Sequence, residues 1–187
     1  YTSNNNTAKD TFTNAAGCDS IVTLNLRIGP DTTITDKIYL FAQRLRESSN
    51  SKNELKLTGI DTNQWHYIAI TKHSNRTGKL YIDGILSDSG TYLNVPYYWN
   101  KLYIGCGYYT SFDNFYNGWL DELRISNVIR TSAEIANHYK SGQPFSVDNN
   151  TFGLWHFDET SGNKFANSVS GSGDLFNGPV FTNGKFN

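Results

Sequence analysis

The sequence predicts an all-β protein, an antiparallel sandwich or barrel. Aromatic residues make up 14% of the 187 residues, and aromatic side chains favour strands. Small polar residues and glycine fill the segments between the aromatic runs, as is typical of turns. Strand-like runs recur at short intervals with turn signals between them, which is the pattern of an antiparallel sandwich. A chain of this length can bury a sizeable core, and we expect residues 1–187 to form a single domain.

The clearest strand is SIVTLNLRI at residues 20–28, in which apolar and polar residues alternate with a period of two. Residues 1–16 are interpreted as a loop or an edge, and the Gly-, Ser- and Asn-rich residues 158–174 as a loop. Asp83 and Gly84 supply the positive φ that a tight hairpin turn needs. Further strands are predicted over residues 37–46, 54–57, 65–71, 79–83, 102–105, 118–126 and 152–157, with one or two more within 175–186.

One short helix is predicted at about residues 131–140. Thr131 and Glu134 have the spacing of a capping box, in which each side chain accepts a free backbone N–H of the first turn. Ile135 and Tyr139 share one face of the helix, and Gly142 ends it. At about two turns, the helix must be held by packing against a sheet.

Charge and hydropathy exclude several classes of function. The formal net charge of −1 at pH 7 provides no basic surface for nucleic acid. No apolar stretch approaches the length needed to span a membrane. The chain contains no Met, so we expect a processed piece or an excerpt, with any signal peptide outside it.

Two cysteines, Cys18 and Cys106, are too few for a disulfide framework. They are interpreted either as small buried thiols or as one disulfide, which an exported protein would permit. Metal binding is disfavoured because no CxxC spacing is present.

A group of motifs resembles a known family. The motifs are WHYIAIT, GKLYIDG, LYIG and FYNGWLDELRISNVIRTSAEI, within about residues 37–140. Together they are similar to the laminin-G-like jelly roll of the concanavalin A-like lectin/glucanase superfamily, in its bacterial LamG-like subgroup. The resemblance implies a two-sheet antiparallel jelly-roll sandwich. Within it, Trp65, Leu80 and Trp119 would fill the core between the sheets.

The order of the motifs departs from that family. GLWHFDETSGN, within residues 150–187, resembles the opening strands of a LamG-like domain, yet it comes last. It either completes this sandwich, as in a circular permutation, or begins a second repeat; a partner chain could also pair with it in a strand-swapped dimer. Residues 1–30 resemble the closing strands of repeats in large surface proteins of Bacteroidota. We therefore expect a secreted or cell-surface protein that is a monomer or a strand-swapped dimer.

No catalytic motif is found. Glucanases of this superfamily carry an E-x-D-x-x-E strand, which supplies the two carboxylates of a retaining glycosidase, and the sequence lacks it. Asp121 and Glu122 are adjacent, so in a regular strand they would point to opposite faces and could not act as that pair. An enzyme is therefore not expected.

A structural calcium site is implied by the resemblance. Members of the superfamily often bind calcium through a carboxylate of the late strand and backbone oxygens, and Asp121 is the matching position. Asp158 would be its partner if the FGLWHF strand completes the sheet. The alternative is that Asp121 caps a turn or pairs with Arg124, and that Asp158 is a solvated turn residue.

Two aromatic loops flank the LYIG strand and are the candidate ligand site. Exposed rings with amides and carboxylates nearby can stack on sugars and bind their hydroxyl groups. The candidate residues are Asn94, Tyr97, Tyr98, Trp99, Tyr108, Tyr109 and Asp113. The alternative for each ring is that it covers an edge of the sandwich.

The sequence therefore predicts a non-catalytic, lectin-like module of an exported modular protein that binds carbohydrate through its aromatic loops. The alternative is a structural or adhesion module that contacts a surface protein or spaces a cell-surface chain. Fold alone does not decide between these functions.

Overall fold

A computed structural model of the protein describes residues 7–10, 20–28, 60–61, 64–73, 77–91, 102–105, 107–108, 112–113, 116, 118–176 and 179–186. The elements in these residues are strands β1 (Thr7–Asp10), β2 (Ser20–Ile28), β3 (Trp65–Lys72), β4 (Thr77–Ile82), β5 (Ile85–Thr91), β6 (Leu102–Ile104), β7 (Gly107–Tyr108), β8 (Phe112–Asp113) and β9 (Gly118–Ser126), helix α1 (Ser132–Ser141), and strands β10 (Thr151–Trp155), β11 (Lys164–Ala166) and β12 (Ser172–Phe176).

The strands form two main sheets and a small hairpin. The larger sheet has the order β10-β9-β2-β3-β4-β5, and the smaller has the order β11-β12-β1-β6. Strands β7 and β8 pair only with each other among the described residues. Every pairing is antiparallel, which confirms the predicted all-β fold.

The main core lies between the two large sheets. Its buried members come from both sheets and are Ile68, Leu80, Ile104, Tyr116, Leu123, Trp155 and Phe165. Leu80 belongs to this core as expected, whereas Trp65 and Trp119 are only half-buried. The large rings that fill the centre are instead Trp155 and Phe165, which are 0% and 1% exposed.

The late apolar strand of the sequence lies at an edge of the larger sheet. Strand β10 runs beside β9 in one chain, with Leu154 opposite Arg124 and Trp155 opposite Leu123. Strand β12 pairs with β1. The sequence analysis expected only a loop or an edge at the position of β1. Residues 151–176 thus contribute strands to both sheets.

Some sequence predictions differ from the structure or lie outside it. Strands β2 and β9 have the predicted bounds. Strands β5, β7, β8 and β11 were not predicted, because ILSDSGT and the other short segments lack an apolar alternation. The predicted strands at 37–46 and 54–57, and both cysteines, fall outside the described residues.

The predicted hairpin turn joins β4 to β5. Asp83 and Gly84 have φ values of 51° and 79°, as a tight turn of this kind requires. The Asp83 carboxylate accepts the backbone N–H of Tyr67 at 2.9 Å and lies 2.9 Å from Nδ1 of His66. Strand β3 and the β4–β5 hairpin are thus linked by the Asp83 side chain as well as by the backbone hydrogen bonds of the sheet.

Helix α1 begins and ends as its sequence predicts. Glu134 donates its backbone N–H to the Thr131 hydroxyl, and its carboxylate accepts the backbone N–H of Thr131 at 2.7 Å. Gly142 ends the helix in the left-handed conformation, with φ of 60°. Ile135 is 2% exposed, which shows that this face of the helix is packed.

A second core, which we call the outer cluster, covers the other face of the six-stranded sheet. It comprises Tyr67, Ala69, Tyr81, Ile135, Phe145 and Leu154. Phe145 lies on the segment between α1 and β10. Its ring stacks on His138 at 4.3 Å, and the Arg124 guanidinium lies 4.3 Å from its centroid. These contacts hold the segment between α1 and β10, which we call the crossover segment, against the sheet.

His138 is half-buried beside the outer cluster, and its buried Nδ1 atom has no hydrogen-bond partner among the described residues. Its ring also stacks on Tyr67, with centroids 5.7 Å apart. Burial lowers the pKa of His138 to about 4, and the positive charges of Arg124, Lys185 and Arg130 act in the same direction. The ring is therefore a neutral aromatic at neutral pH.

Strand β9 carries a β-bulge at Glu122. Across from it on β2, Leu24 pairs with Leu123 and Asn25 pairs with Asp121, so Glu122 is the extra residue. Its φ is 56°, and Leu120 and Leu123 both contact the core between the sheets. The regular alternation of the strand is therefore interrupted between Leu120 and Leu123.

The bulge buries the Glu122 carboxylate, which is 1% exposed. One oxygen accepts the backbone N–H of Phe145 at 2.7 Å, and the other lies 2.5 Å from Nδ1 of His156. Burial raises the pKa of Glu122, although His156 and the Phe145 amide act in the opposite direction. Glu122 thereby joins the crossover segment to the chain just beyond β10.

Removing the Glu122 carboxylate should destabilise the fold strongly. Glu122→Ala leaves His156 and the Phe145 amide without their acceptor, and we expect a loss of about 3–5 kcal/mol in the free energy of unfolding. Glu122→Gln keeps one oxygen for the Phe145 amide, so its loss should be about 1–2 kcal/mol. Urea denaturation of the two variants measures both values. If the unmodified protein and both variants were equally stable, Glu122 would not hold these segments together.

His138 should make the protein less stable in mild acid. The unfolded chain protonates this histidine near pH 6.5, whereas the folded protein keeps it neutral down to about pH 4. The free energy of unfolding should therefore fall as the pH drops through this window, by about 3 kcal/mol at most. His138→Phe preserves the aromatic stack and cannot titrate.

Urea denaturation of both proteins at pH 7 and pH 4 isolates the contribution of this histidine. We expect the decrease in stability between the two pH values to be smaller in the variant. An identical decrease in the two proteins would show that His138 does not titrate as its burial implies.

Candidate functional site

Asp121, the predicted calcium ligand, is 1% exposed. It lies on β9 immediately before the bulge, opposite Asn25 of β2. Its Oδ2 atom accepts the backbone N–H of Lys185 at 2.6 Å. The structure thus gives Asp121 a backbone amide 64 positions away as a partner.

Asp158, the predicted second ligand, is brought near Asp121 by the pairing of β10 with β9. Trp155 lies opposite Leu123, so the chain beyond β10 continues alongside Asp121. Asp158 is exposed to solvent, and its negative charge contributes to raising the pKa of Asp121. The structure thus places the two predicted carboxylates in one neighbourhood at the same end of the sheet.

The charge of Asp121 is only partly compensated by the protein. Burial is the largest influence and raises the pKa of this carboxyl, and Asp158 raises it further. The backbone N–H groups of Lys185, Phe186 and Glu122 act in the opposite direction, yet the net shift is upward. A buried carboxylate in this state would gain stability from a nearby cation.

Calcium prefers carboxylate and carbonyl oxygens, and two carboxylates supply only part of such a donor set. Within the described ranges, no group of three or more His, Cys, Asp or Glu residues could hold a metal ion. An ion at Asp121 and Asp158 would therefore need backbone oxygens or water to complete its coordination.

Residues 179–186, which we call the closing segment, lie over Asp121. Phe181 packs against the core between the sheets, and the Lys185 amide binds the Asp121 carboxylate. Burial lowers the pKa of the Lys185 ammonium, while the negative charges of Asp83 and Asp121 raise it. The segment therefore brings a backbone donor and a positive charge to the buried carboxylate.

The predicted ligand loops lie largely outside the described residues. Asn94, Tyr97, Tyr98, Trp99 and Tyr109 are not among them. Only the backbone of the other two candidates is described: Tyr108 pairs with Phe112, and Asp113 pairs with Gly107. Tyr108 and Asp113 thus lie on one small hairpin that follows β6, and the grouping of the remaining candidates stays a prediction.

Sequence reasoning did not identify three residues that shape this region. Glu122 was considered only as a catalytic partner of Asp121, and no sequence motif singles out His156. Lys185 was not singled out, because its contact with Asp121 spans 64 positions. The adjacent carboxylates of Asp121 and Glu122 were the one available signal of this region. Two neighbouring carboxylates in an apolar strand each require partners.

The fold is shared with solved structures. A protein of Bacteroides ovatus ATCC 8483, provisionally assigned as carbohydrate binding, aligns with a TM-score of 0.65 at 13% identity, covering 91% of this chain and 56% of that one. The present chain thus spans little more than half of that protein. A mutant Trypanosoma rangeli sialidase displaying trans-sialidase activity aligns at 0.51 and 14% identity, covering 67% and 23% of the two chains. The binding domain of botulinum neurotoxin serotype D aligns at 0.51 and 17% identity, covering 73% and 43%.

Sequence comparison supplies the family. A search of curated proteins found no match. The helical structure within the described residues lacks the length and the apolar composition of a membrane-spanning segment. Residues 2–136 match the Laminin_G_3 family model, whose description is concanavalin A-like lectin/glucanases superfamily. The protein thus belongs to the concanavalin A-like lectin/glucanase superfamily, and its two packed antiparallel sheets agree with that membership.

Proposed function

We propose that this chain is a carbohydrate-binding module of an exported protein. The observation that carries the proposal is its membership of a lectin/glucanase superfamily over residues 2–136. The shared fold of the Bacteroides ovatus protein, with its provisional carbohydrate-binding assignment, supports the same function. The module would comprise the matched residues together with the strands of 151–176 that pair with them.

Binding without hydrolysis is the form of this function that we propose. The sequence lacks the E-x-D-x-x-E strand that supplies the carboxylate pair of the glucanases. Glu122 could not serve in its place, because it is 1% exposed and holds Phe145 and His156. A catalytic carboxylate must reach the reacting bond of its substrate.

The aromatic loops would supply the contact with sugar. Tyr108 and Asp113 lie on one hairpin that follows strand β6 of the smaller sheet. Tyr97, Tyr98, Trp99 and Tyr109 would add rings for stacking, and Asn94 would add an amide for hydroxyl groups. The site would form where the two loops meet.

We also propose that Asp121 and Asp158 hold a structural calcium ion. The burial of Asp121 and the proximity of Asp158 support this proposal, because together they leave a carboxyl with a raised pKa. When bound, the ion would neutralise this charge and link β9 to the chain beyond β10. Its role would be to stabilise the fold.

Replacing Trp99 should weaken carbohydrate binding. On a glycan array the unmodified chain should retain a defined set of glycans, and Trp99→Ala should lower affinity by roughly 1–3 kcal/mol, or about 5- to 150-fold. Ile85→Ala is the control, since Ile85 is an exposed apolar side chain on strand β5. We expect the control to bind like the unmodified chain.

A melting curve of Trp99→Ala distinguishes the binding role from a packing role. A ligand-facing ring can be removed with little change in melting temperature, whereas a core aromatic costs about 3 kcal/mol or more. If the unmodified chain binds no glycan and the variant is strongly destabilised, the structural or adhesion function replaces the one proposed.

Calcium should raise the melting temperature. An ion that binds only the folded state stabilises it by about 2.7 kcal/mol at a free concentration of 100 times Kd. Asp121→Asn should abolish the response, because it removes the buried charge. Asp174→Asn is the matched control, as Asp174 is an exposed carboxylate paired with Lys164. Melting temperatures unchanged between chelator and excess calcium would refute the calcium site.

A further inference from the structure

Two tryptophans occupy one row across the larger sheet. On β2, Arg27 pairs with Trp119 of β9 on one side and with Trp65 of β3 on the other. Residues that lie directly opposite each other in neighbouring strands share a face of the sheet. Trp65 and Trp119, which we call the tryptophan row, therefore lie on the same face with one strand between them.

The tryptophan row lies on the outer face of the larger sheet. Trp65 is two residues from Tyr67 of the outer cluster, so the alternation of β3 places both on that face. On β9, Leu120 packs against the core between the sheets, so its neighbour Trp119 lies on the other face. Both tryptophans are half-buried, which leaves part of each ring open to solvent.

The sheet sets the spacing of the two rings. Two interstrand spacings separate β3 from β9, which holds the side chains roughly 9–10 Å apart. That separation is similar to the length of two linked pyranose rings in an extended chain. In a β-1,4-linked chain successive rings turn over, so every second ring presents the same face. Pyranose rings with equatorial hydroxyl groups carry CH groups on their faces, and these pack on aromatic rings.

The tryptophan row lies at the end of the sheet where the hairpin of Tyr108 and Asp113 enters β9. Strand β6 ends at Ile104, the hairpin follows, and β9 begins one residue before Trp119. Further along β9, the closing segment binds Asp121. Along this strand, the row thus lies between the hairpin and the closing segment, next to the loops that are the candidate ligand site.

We propose that the tryptophan row is a second subsite for glycan and selects an extended β-1,4-linked chain, with Trp65 and Trp119 stacking on two sugar rings that are separated by one ring. This inference rests on the carbohydrate-binding function proposed above and names the class of ligand. Contact with both tryptophans requires at least three linked sugars. Once one ring has stacked, the second contact is intramolecular and therefore strengthens binding.

The length of the ligand provides the first test. The probes are oligosaccharides of one to six β-1,4-linked glucose units, measured by titration calorimetry. Affinity should rise roughly 5- to 150-fold between two and three sugars, the contribution of one further stacked ring. Trp65→Ala and Trp119→Ala should each remove this rise. Phe152→Ala is the control and should keep it, since Phe152 is an exposed ring on β10 beside the opposite end of β9.

The linkage is tested with the matching series of α-1,4-linked glucose. An α-1,4-linked chain curves, so its alternate rings do not fit two coplanar positions on a sheet, and this series should show no rise between two and three sugars. An equal rise in both series would overturn the selection of β-1,4-linked chains. No rise in the β-1,4-linked series would overturn the subsite itself.

A further test uses the unmodified chain alone. Hydroxyl radicals oxidise accessible aromatic rings, and mass spectrometry locates the oxidised residues. The β-1,4-linked glucose hexamer at saturation should lower the oxidation of Trp65 and Trp119 several-fold, whereas the oxidation of Phe152 should not change. Unchanged oxidation of both tryptophans while the hexamer is bound would place the sugar elsewhere and overturn the proposal.

The outcomes separate this inference from the proposed function. If the chain retains glycans on the array and Trp99→Ala weakens them, but Trp65→Ala and Trp119→Ala do not, the aromatic loops alone bind sugar and the tryptophan row is not a subsite. If no glycan is retained and no probe binds, the carbohydrate-binding function and the subsite are both wrong. If an alanine variant fails to fold, the oxidation of the unmodified chain decides.

Discussion

The burial of two adjacent carboxylates in strand β9 is the constraint on which the surrounding structure depends. Charged groups are tolerated in a protein interior only when they are paired and hydrogen-bonded. Glu122 is paired with the Phe145 amide and His156, and Asp121 with the Lys185 amide. Each partner lies on a different segment, so these two residues fix the crossover after the helix, the chain beyond β10, and the closing segment. The bulge inserts Glu122 as an extra residue between Asp121 and Leu123, which interrupts the alternation of the strand at this point.

The crossover segment is held both by a hydrogen bond to a buried carboxylate and by the packing of an aromatic ring. Phe145 donates its amide to Glu122 and places its ring against His138 and Arg124. The ring covers part of the sheet together with Ile135 of the helix. A helix of ten residues is marginally stable in isolation. Its stability here comes from its capping box and from the apolar face that the crossover completes.

Sequence alone predicts the parts of this fold that are local in the chain. The bounds of β2 and β9 follow from their period-two pattern, and the helix follows from the Thr131 and Glu134 spacing. Strand β5 escapes prediction because it is polar and contains glycine. The bulge escapes because it is defined only by the register with β2. Asp121 and Asp158 were paired through a family resemblance, whereas the contact with Lys185 depends on tertiary packing that no local pattern encodes.

The position of strand β1 has a consequence for how the protein folds. This strand is hydrogen-bonded to β12 on one side and to β6 on the other, and Thr7 lies opposite Phe176. The smaller sheet therefore cannot close until residues that are far apart in the chain have met. Contacts of such long sequence separation slow folding, because the loop-closure entropy is lost before the contacts form. During synthesis, the apolar face of the larger sheet would remain uncovered until residue 176 has emerged. The four-stranded sheet should thus assemble last and govern the folding rate of the whole sandwich.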